Sequence, residues 1–225
     1  MAQFIAEIAT KSVVQHRNLV KLYGCCIERV KRLLVYEYLE NKSLDQALFG
    51  DNRLSLSWAT RFEICLGLAR GLAYLHEGSR IRIIHRDVKA SNVLLDADLN
   101  PKISDFGLAK LYDDKKTHMS TRVAGTIGYL APEYVMRGYL TEKADAFRFG
   151  VVALEIAWNL HEANSEIELV DEELSDFDEN EVKRVARITL LCTQTSPTQR
   201  PPMSRVVAML LGDIEAGSVI TRPGY

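Results

Sequence analysis

The sequence predicts an α+β fold in which a small mixed part precedes a mostly helical body. Two observations predict it. The segments LVKLYGCCI and RLLVYEYL, residues 19–27 and 32–39, are rich in β-branched and aromatic residues and flank the short turn ERVK. From residue 57 onward, the longest apolar patterns have the helical period instead. We therefore expect one two-stranded hairpin beside a larger set of helices.

Three helices are predicted in the first third of the chain. The first is indicated by residues that fall near one stripe at helical spacing: Phe4, Ile5, Ile8, Ser12 and Val13. A short second helix begins in ENKSLDQAL, residues 40–48. The third runs from Ser57, a good N-cap residue, to His76. Its apolar face repeats at helical spacing: Trp58, Phe62, Cys65, Leu66, Ala69, Leu72 and Ala73.

The rest of the chain alternates short strands, a long loop and helices. Short strands are expected in IRIIH, VLLD and PKIS, and residues 106–130 have the composition of a loop. Residues 143–160 are mostly apolar and predict a buried helix. The ten acids of residues 162–181 indicate a solvated surface loop. Two amphipathic helices are expected at 179–194 and 201–213, the second opened by prolines.

Composition excludes several classes of protein. With a net charge of −2, the chain has no strong field for nucleic acid, so no nucleic-acid partner is expected. We find no apolar run long enough to span a bilayer and no signal-peptide pattern, so direct membrane insertion is not expected. The four cysteines form no metal-binding pattern and are expected to be buried, reduced thiols.

Three motifs carry chemistry. His85-Arg86-Asp87 is followed by Lys89 and, three residues on, by Asn92. Asp-Phe-Gly follows at 105–107 and Ala-Pro-Glu at 131–133. A single motif of this kind is weak support, but the three in this order and at this spacing are specific.

These residue types suit phosphoryl transfer. Its transition state spreads negative charge over the moving group, so catalysis depends on positioning and on charge neutralisation. A carboxylate such as Asp87 can orient a hydroxyl and accept its proton, and Lys89 can neutralise a phosphate. Asn92 and Asp105 offer the oxygen ligands that Mg²⁺ prefers. As isolated residues, Asp87, Asn92 and Asp105 also fit ordinary loop and turn positions.

The motifs resemble those of protein kinases, and most of the chain is similar to the intracellular kinase domain of plant leucine-rich-repeat receptor-like serine/threonine kinases. Segments such as HRNLVKLYGCC, RGLAYLHE, GTIGYLAPEY and RPPMSRVVAML carry this resemblance. It implies a kinase fold with a partial N-lobe, containing helix C and about two strands, at residues 1–39. The helical C-lobe would follow at 40–214, and a tail at 215–225.

The resemblance also implies roles for individual residues. Asp87, Lys89 and Asn92 would be catalytic, Asn92 and Asp105 would bind Mg²⁺, and the backbone of Glu37 and Leu39 would contact the adenine of ATP. Other positions match supporting residues of the family. Glu7 matches the helix-C glutamate, Tyr36 the gatekeeper and Asp145 the buried helix-F aspartate. The remaining supporting positions belong to the catalytic loop, the metal motif and the activation segment with its partner: His85, Arg86, Phe106, Gly107, Thr126, Glu133 and Arg200.

Several of these positions come with expected contacts. Thr126 would contact Asp87 and Lys89, Arg200 would pair with Glu133, and His85 would hydrogen-bond toward Asp145. Arg86 suggests that a phosphorylated loop residue orders the segment between Asp105 and Glu133. The candidate acceptors are Thr117, Ser120 and Thr121. The remaining histidines, at 16, 76, 118 and 161, are interpreted as surface or capping residues.

The sequence also departs from the family pattern. Its 13 glycines include no G-x-G spacing, and no V-A-I-K-like strand supplies a lysine for Glu7. Ala157 directly precedes Trp158, where the family continues through a loop and another helix. Arg148 stands where the family has a small residue in a buried helix, so it needs a partner or water. We therefore expect very weak kinase activity from this polypeptide alone.

The sequence leaves three interpretations of the function of this chain open. The first is a serine/threonine kinase domain that uses ATP and Mg²⁺ on protein substrates, at the cytoplasmic side of the plasma membrane by resemblance, although this chain by itself is expected to be cytosolic. The second is a non-catalytic kinase-like module that docks on a full-length receptor kinase. A third interpretation is a shortened gene product that does not accumulate.

Overall fold

The computed structural model describes residues 1–51, 53–112, 119–157 and 178–215, and of Met119 and Ser120 it describes the backbone. Within these ranges the α-helices are α1 Ala2–Lys11, α2 Leu44–Phe49, α3 Trp58–Ala73, α4 Pro132–Arg137, α5 Glu142–Ala157, α6 Glu179–Cys192 and α7 Met203–Leu211. The strands are β1 Leu22–Glu28, β2 Lys31–Tyr36, β3 Ile83–Ile84, β4 Val93–Leu95, β5 Pro101–Ile103, β6 Lys110–Leu111, β7 Met119–Ser120 and β8 Tyr139–Leu140. The predicted α+β arrangement is confirmed.

The strands form four separate antiparallel pairs: β1–β2, β3–β6, β4–β5 and β7–β8. The longest pair is the predicted hairpin, in which Cys26 lies opposite Leu33. The pair β4–β5 joins the segment after Asn92 to the segment before Asp105, with Val93 opposite Ile103. This short ladder therefore brings two of the sequence motifs together.

The helical body is built around α3 and α5, both 16 residues long. Helix α3 packs against α5 and α7, and α6 packs against α5 and α7. Fully buried apolar side chains fill the space between these helices: Leu68, Leu72, Phe149, Ile188 and Val206. Burial of apolar surface on this scale is the main stabilising contribution to the fold.

Helix α3 begins where the sequence predicts. The Ser57 hydroxyl accepts a hydrogen bond from the backbone N–H of Thr60 at 3.3 Å, which satisfies one free donor of the first turn. The helix ends at Ala73 and is followed by a π-helical turn, Tyr74–Gly78, which contains His76. The predicted end at His76 is therefore three residues beyond the end of the α-helix.

The helix predicted at the start of the chain is present as α1, but its predicted apolar stripe is only partly buried: Phe4 and Ile8 are half-buried, and Ser12 and Val13 lie beyond the end of the helix. Ile5 and Val13 are 55% and 43% exposed, whereas the helix buries the polar residues Glu7, Thr10 and Lys11. The reason is local chemistry, because the Glu7 carboxylate and the Lys11 ammonium group have polar partners on the side that faces the rest of the molecule. The helix is thus attached through hydrogen bonds rather than through an apolar seam.

The prediction for the cysteines is correct for two of the four. All four are free thiols, and Cys65 and Cys192 are buried. Cys25 and Cys26 are exposed, because β1 pairs with β2 alone among the described strands, and the hairpin therefore remains largely open to solvent.

Several predictions fall on residues outside the described ranges. They are Thr117, His118, Trp158, His161, most of the acidic segment at 162–181 and nearly all of the tail at 215–225. The proposed lobe boundaries at 39/40 and 214/215 stay predictions. No helix within the described part of the chain has the length and apolarity needed to cross a membrane.

Candidate active site

The loop that carries the first motif is held by one buried carboxylate. Asp145 of α5, which is fully buried, accepts hydrogen bonds from the backbone N–H of His85 at 2.6 Å and of Arg86 at 2.9 Å. Arg86 has a φ of 72°, in the left-handed region that non-glycine residues rarely adopt. Such strain persists only where surrounding contacts hold it, and the two bonds to Asp145 do so.

The charge of Asp145 is stabilised by cationic and polar neighbours. Burial alone raises the pKa of this carboxyl, but the hydrogen bond and charge of His76, together with Arg148 and His85, lower it to about 2. His76 Nε2 lies 3.1 Å from Asp145 Oδ2, and His76 is 3% exposed. The interpretation of His76 as a surface or capping residue is therefore wrong. Its place beside the apolar face of α3 was the available signal that it is buried.

The His85 ring does not make the bond that the sequence suggests. Its backbone, not its ring, bonds Asp145, while Nε2 lies 2.9 Å from the carbonyl oxygen of Ser104. Nδ1 accepts from the Asp87 N–H at 3.3 Å, so Nε2 carries the proton of a neutral ring. Burial lowers the pKa of His85, which favours this neutral form. The ring also packs edge-on against Phe106, with the centroids 4.6 Å apart.

The Asp87 carboxylate is held in one orientation by several donors. Oδ1 accepts from the backbone N–H and from the hydroxyl of Thr126, both at 3.1 Å. Oδ2 accepts from Asn92 Nδ2 at 3.2 Å and lies 3.4 Å from the Lys89 ammonium nitrogen. Lys89 also donates to the Thr126 hydroxyl at 3.0 Å. The structure thus brings Asp87, Lys89, Asn92 and Thr126 into one hydrogen-bonded group.

Asp105 is connected to this group through Asn92. The backbone oxygen of Asn92 accepts from Ser104, whose N–H and hydroxyl donate at 2.8 and 2.9 Å. The next residue, Asp105, has a φ of 57°, is exposed, and accepts from the Gly107 N–H at 3.3 Å. A Cβ at position 107 would lie 3.2 Å from Asp105 Oδ1 and 3.3 Å from Gln3 Cβ. Glycine therefore fits the close approach of α1 to this turn.

The donor set fits a magnesium ion. Asn92 Nδ2 donates to the backbone and the side chain of Asp87, so the amide oxygen of Asn92 is the atom suited to bind a cation. Together with the Asp105 carboxylate it supplies the hard oxygen ligands that Mg²⁺ prefers. The described residues contain no cluster of three or more His, Cys, Asp or Glu side chains that could hold a metal by themselves. Phosphate oxygens and water would have to complete the coordination.

A mainly apolar cleft of about 440 Å³ lies beside Asp105. Its walls come from α1, β2, β4 and the Asp105–Gly107 turn, and include Glu7, Tyr36 and Leu94. The Tyr36 hydroxyl donates to Glu7 Oε1 at 2.6 Å. Burial raises the pKa of both groups, and their mutual hydrogen bond lowers that of Glu7 and raises that of Tyr36.

The segment after Tyr36 contributes backbone and side-chain contacts. The N–H of Glu37 donates to the Lys21 carbonyl at 3.0 Å, and Lys102 donates to both Glu37 carboxylate oxygens at 3.1 and 3.0 Å. Leu39 is buried in this segment.

The described parts of the segment between Leu108 and Arg137 are fixed at further points besides Thr126, and Arg86 is the first of them. Arg86 donates to the carbonyls of Leu108 and Arg122 at 3.1 and 2.9 Å and to the Tyr134 hydroxyl at 2.6 Å. Gly125 has a φ of 118°, and a Cβ there would lie 2.7 Å from the Arg86 carbonyl oxygen, so glycine is required.

Arg200 and Glu133 form the second fixed point. Arg200 Nη1 and Nη2 donate to the two carboxylate oxygens of Glu133, each at 2.8 Å. The structure therefore brings together the pair that the resemblance suggests. Of the candidate phosphate acceptors, Thr121 is half-buried and its N–H donates to the Gly138 carbonyl at 3.2 Å, Ser120 lies in β7, and Thr117 is outside the described residues.

Arg148 is fully buried beside Asp145. Its Nη1 donates to the Ala144 carbonyl at 3.2 Å and lies 3.9 Å from Asp145 Oδ1. Among the described residues, no hydrogen-bond partner is found for Nε or Nη2. The sequence predicted that this arginine needs a partner or water, and the structure supplies a partner for one of its three nitrogens.

Comparison with known proteins identifies the family. The family model described as protein tyrosine and serine/threonine kinase matches residues 1–210. The chain belongs to this kinase family, and the protein-kinase fold implied by the resemblance is confirmed.

Its relatives include plant receptor-like kinases. Two Arabidopsis thaliana proteins, each named "Probable LRR receptor-like serine/threonine-protein kinase", are 65% identical to 99% of this chain. A third of the same name is 58% identical over 95% of it. The chain spans about a quarter of the length of these relatives, 24%, 24% and 23% respectively. The first alignment covers 244 residues, more than the 225 of this chain, so these relatives carry residues without a counterpart here.

Proposed function

We propose that this chain is a serine/threonine kinase domain that transfers a phosphoryl group from ATP to hydroxyl groups of protein substrates. The observation that carries the proposal is the orientation of Asp87, whose carboxylate is held by Thr126 and Asn92 with the Lys89 ammonium nitrogen 3.4 Å away. A carboxylate fixed beside a cation is what the transfer of a phosphoryl group to a hydroxyl requires.

Each group then has a distinct task. Asp87 orients the substrate hydroxyl and accepts its proton, and Lys89 neutralises charge on the transferred phosphate. Asn92 and Asp105 would hold Mg²⁺, which would supply neutralisation of phosphate charge. Because these side chains are already oriented by hydrogen bonds, they need little rearrangement when the transition state forms.

The nucleotide base is proposed to bind at the segment that follows β2. The backbone of Glu37 and Leu39 contacts the adenine, and the apolar cleft beside Tyr36 and Leu94 lies next to it. Glu7 lines this cleft, and one of its carboxylate oxygens accepts a hydrogen bond from the Tyr36 hydroxyl.

The setting of the domain is proposed from its relatives. Their names describe receptor-like kinases, which supports a place at the cytoplasmic side of the plasma membrane and protein substrates in a signalling role. Phosphorylation of Thr117, Ser120 or Thr121 is proposed to order the segment before Glu133 through Arg86. Arg86 would then exchange its carbonyl partners for a phosphate, with which it forms stronger, charge-assisted bonds.

One sequence observation favours a second function. The 225 residues contain no G-x-G spacing and no V-A-I-K-like strand. Loss of one preorganised donor typically costs about 10²-fold or more in rate, so we expect slow transfer by this polypeptide. A chain that binds a full-length receptor kinase without transferring phosphate is the alternative.

Transfer of labelled phosphate from ATP to a serine- and threonine-containing protein tests the proposal. Wild type should show slow, Mg²⁺-dependent transfer, and Asp87→Asn should lower the rate by about 10²-fold or more. Asp98, an exposed aspartate in the turn between β4 and β5, provides the matched control, and Asp98→Asn should leave the rate unchanged. If wild type and Asp87→Asn have equal rates, the transferase proposal fails and the docking function gains support.

A further inference from the structure

A second cleft, of about 720 Å³, lies on the other side of the segment that contains Glu37. It is lined by residues 11–17 and 19–22, which lead from α1 into β1, and by Glu37, Tyr74 and Lys102. We call it the basic cleft. It shares Val20 and Glu37 with the cleft beside Asp105, but its lining does not include the side chains assigned above to phosphoryl transfer: Asp87, Lys89, Asn92 and Asp105.

The lining is strongly cationic. It includes four residues with cationic side chains: Lys11, Arg17, Lys21 and Lys102. His16 also lines the cleft, but burial and the charges of Arg17 and Arg70 lower its pKa, which favours the neutral ring. Among the described residues that line the cleft, Glu37 is the single carboxylate, and Lys102 already binds both of its oxygens. Glu37 also accepts from the Lys21 N–H at 2.7 Å. The Glu37 carboxylate is therefore already paired, and the described lining keeps an excess of positive charge.

The cationic residues of the lining belong to three parts of the chain. Arg17 and Lys21 are exposed and lie in the connection between α1 and β1, and Lys102 lies in β5. Lys11 of α1 is 8% exposed, and its ammonium group donates to the Val20 carbonyl. On the remaining wall, the rings of His16 and Tyr74 stack with their centroids 4.9 Å apart, which fixes the position of His16.

We infer that the basic cleft is a binding site for a small molecule that carries several phosphate groups. The arginine and the lysines belong to the lining of a concave site, and concave sites of about 300–1,000 Å³ are typical of small-ligand pockets. A single phosphate would fill little of this volume, so a ligand with several anionic groups makes better use of it. Arginine and lysine together suit phosphate, the first through its planar fork and the second as a point charge.

The buried lysine gives independent support. Burial lowers the pKa of Lys11 to about 7, the charges of Glu7 and Glu37 oppose this shift, and that of Lys102 adds to it. A polyanion in the cleft would act on Lys11 in the same direction as Glu7 and Glu37 and would favour its charged form. The ammonium nitrogen of Lys11 also lies 3.7 Å from the centroid of Phe106, beside the proposed Mg²⁺ ligand Asp105, so ligand binding would be felt at the candidate active site.

Calorimetric titration of the 225-residue protein with inositol hexakisphosphate in the absence of Mg²⁺ tests this inference. We expect saturable binding of one ligand per chain, and no heat of binding with uncharged inositol. The double variant Arg17→Gln/Lys21→Gln should weaken the affinity by at least about 10-fold, as expected for the loss of charge-assisted contacts. The matched control, Lys31→Gln/Arg32→Gln, removes the same charge from the exposed hairpin and should keep the affinity within about 2-fold.

Two further variants distinguish loss of the site from misfolding and from binding of the ligand at the candidate active site. Glu37→Gln removes the only carboxylate of the described lining and should tighten binding, which is opposite in sign to the effect of the double variant. Lys89→Gln should leave binding unchanged. Absence of saturable binding, equal losses in the two double variants, weaker binding by Glu37→Gln, or a loss in Lys89→Gln comparable to that in Arg17→Gln/Lys21→Gln would each overturn the inference.

Discussion

The ammonium nitrogen of Lys11 lies 3.7 Å from the centroid of the Phe106 ring and donates a hydrogen bond to the Val20 carbonyl oxygen at 2.6 Å. A cation over an aromatic face is stabilised by the ring quadrupole, and more so where water is excluded. Yet the same exclusion of water destabilises the charged form of the lysine. Lys11 thus links α1 to the Asp105–Gly107 turn at a cost in desolvation.

This conflict predicts a pH-dependent stability. The pKa of Lys11 is lowered from 10.5 to about 7, so the unfolded chain binds more protons between these values. The penalty from Lys11 is therefore fully present below pH 7 and is lost as the pH rises toward 10.5, which makes the fold more stable in that direction. Lys11→Met should stabilise the protein at pH 7 by about 1–3 kcal/mol and flatten this dependence, as measured by urea unfolding at pH 7, 8 and 9.

Lys31→Met is the control for this experiment, because Lys31 is an exposed lysine of the hairpin and should change neither quantity. If Lys11→Met destabilises the fold at pH 7, or leaves the slope with pH as in wild type, the assignment of Lys11 as a desolvated buried cation is wrong.

Removing the His76 side chain beside Asp145 should give a pH dependence of the opposite sign. The pKa of Asp145 is lowered from 3.8 to about 2, so its contribution to stability is present above pH 4 and is lost as the pH falls toward 2. His76→Leu removes a hydrogen-bond partner of this buried carboxylate and should destabilise the fold by about 2–4 kcal/mol. Acid unfolding followed by circular dichroism should move to higher pH, and an unchanged acid midpoint would refute the role of His76.

Arg148 offers a test of whether a buried charge helps the fold. Two of its nitrogens have no hydrogen-bond partner among the described residues, so replacement by an apolar side chain of similar length should cost nothing or stabilise. We expect Arg148→Met to raise the free energy of unfolding by about 0–3 kcal/mol and Arg148→Ala to lower it, because alanine also leaves a cavity. A loss in Arg148→Met as large as in Arg148→Ala would mean that the Arg148–Asp145 pair stabilises the fold.

The Arg200–Glu133 pair is expected to matter through its geometry. Both bonds are 2.8 Å long, and the Arg200 side chain is fully buried. Arg200→Lys keeps the charge but loses the parallel pair of bonds, and should destabilise the fold by about 2–4 kcal/mol in chemical denaturation. The exposed pair of Lys183 and Glu179 is the control, since Lys183→Ala should leave the free energy of unfolding within experimental error.

The sequence was most informative where one residue determines local geometry. Ser57 predicted the start of α3 from its residue type, and the resemblance to kinases implied the contact of Thr126 with Asp87 across 39 residues of sequence. The buried face of α1 was not predicted, because periodicity detects apolar residues whereas this helix is attached by Glu7 and Lys11. His76 was missed for a related reason, as its partner Asp145 lies 69 residues further along the chain.

We propose that Asn92 and Asp105 hold Mg²⁺ and a nucleotide beside Asp87. Calorimetric titration of the 225-residue protein with a non-hydrolysable ATP analogue, with and without Mg²⁺, tests it most directly. We predict measurable binding that requires Mg²⁺, is weakened by about 10-fold or more in Asp105→Asn, and is unchanged in the exposed-site control Asp98→Asn. Absence of nucleotide binding by wild type, or equal binding by wild type and Asp105→Asn, would contradict the account.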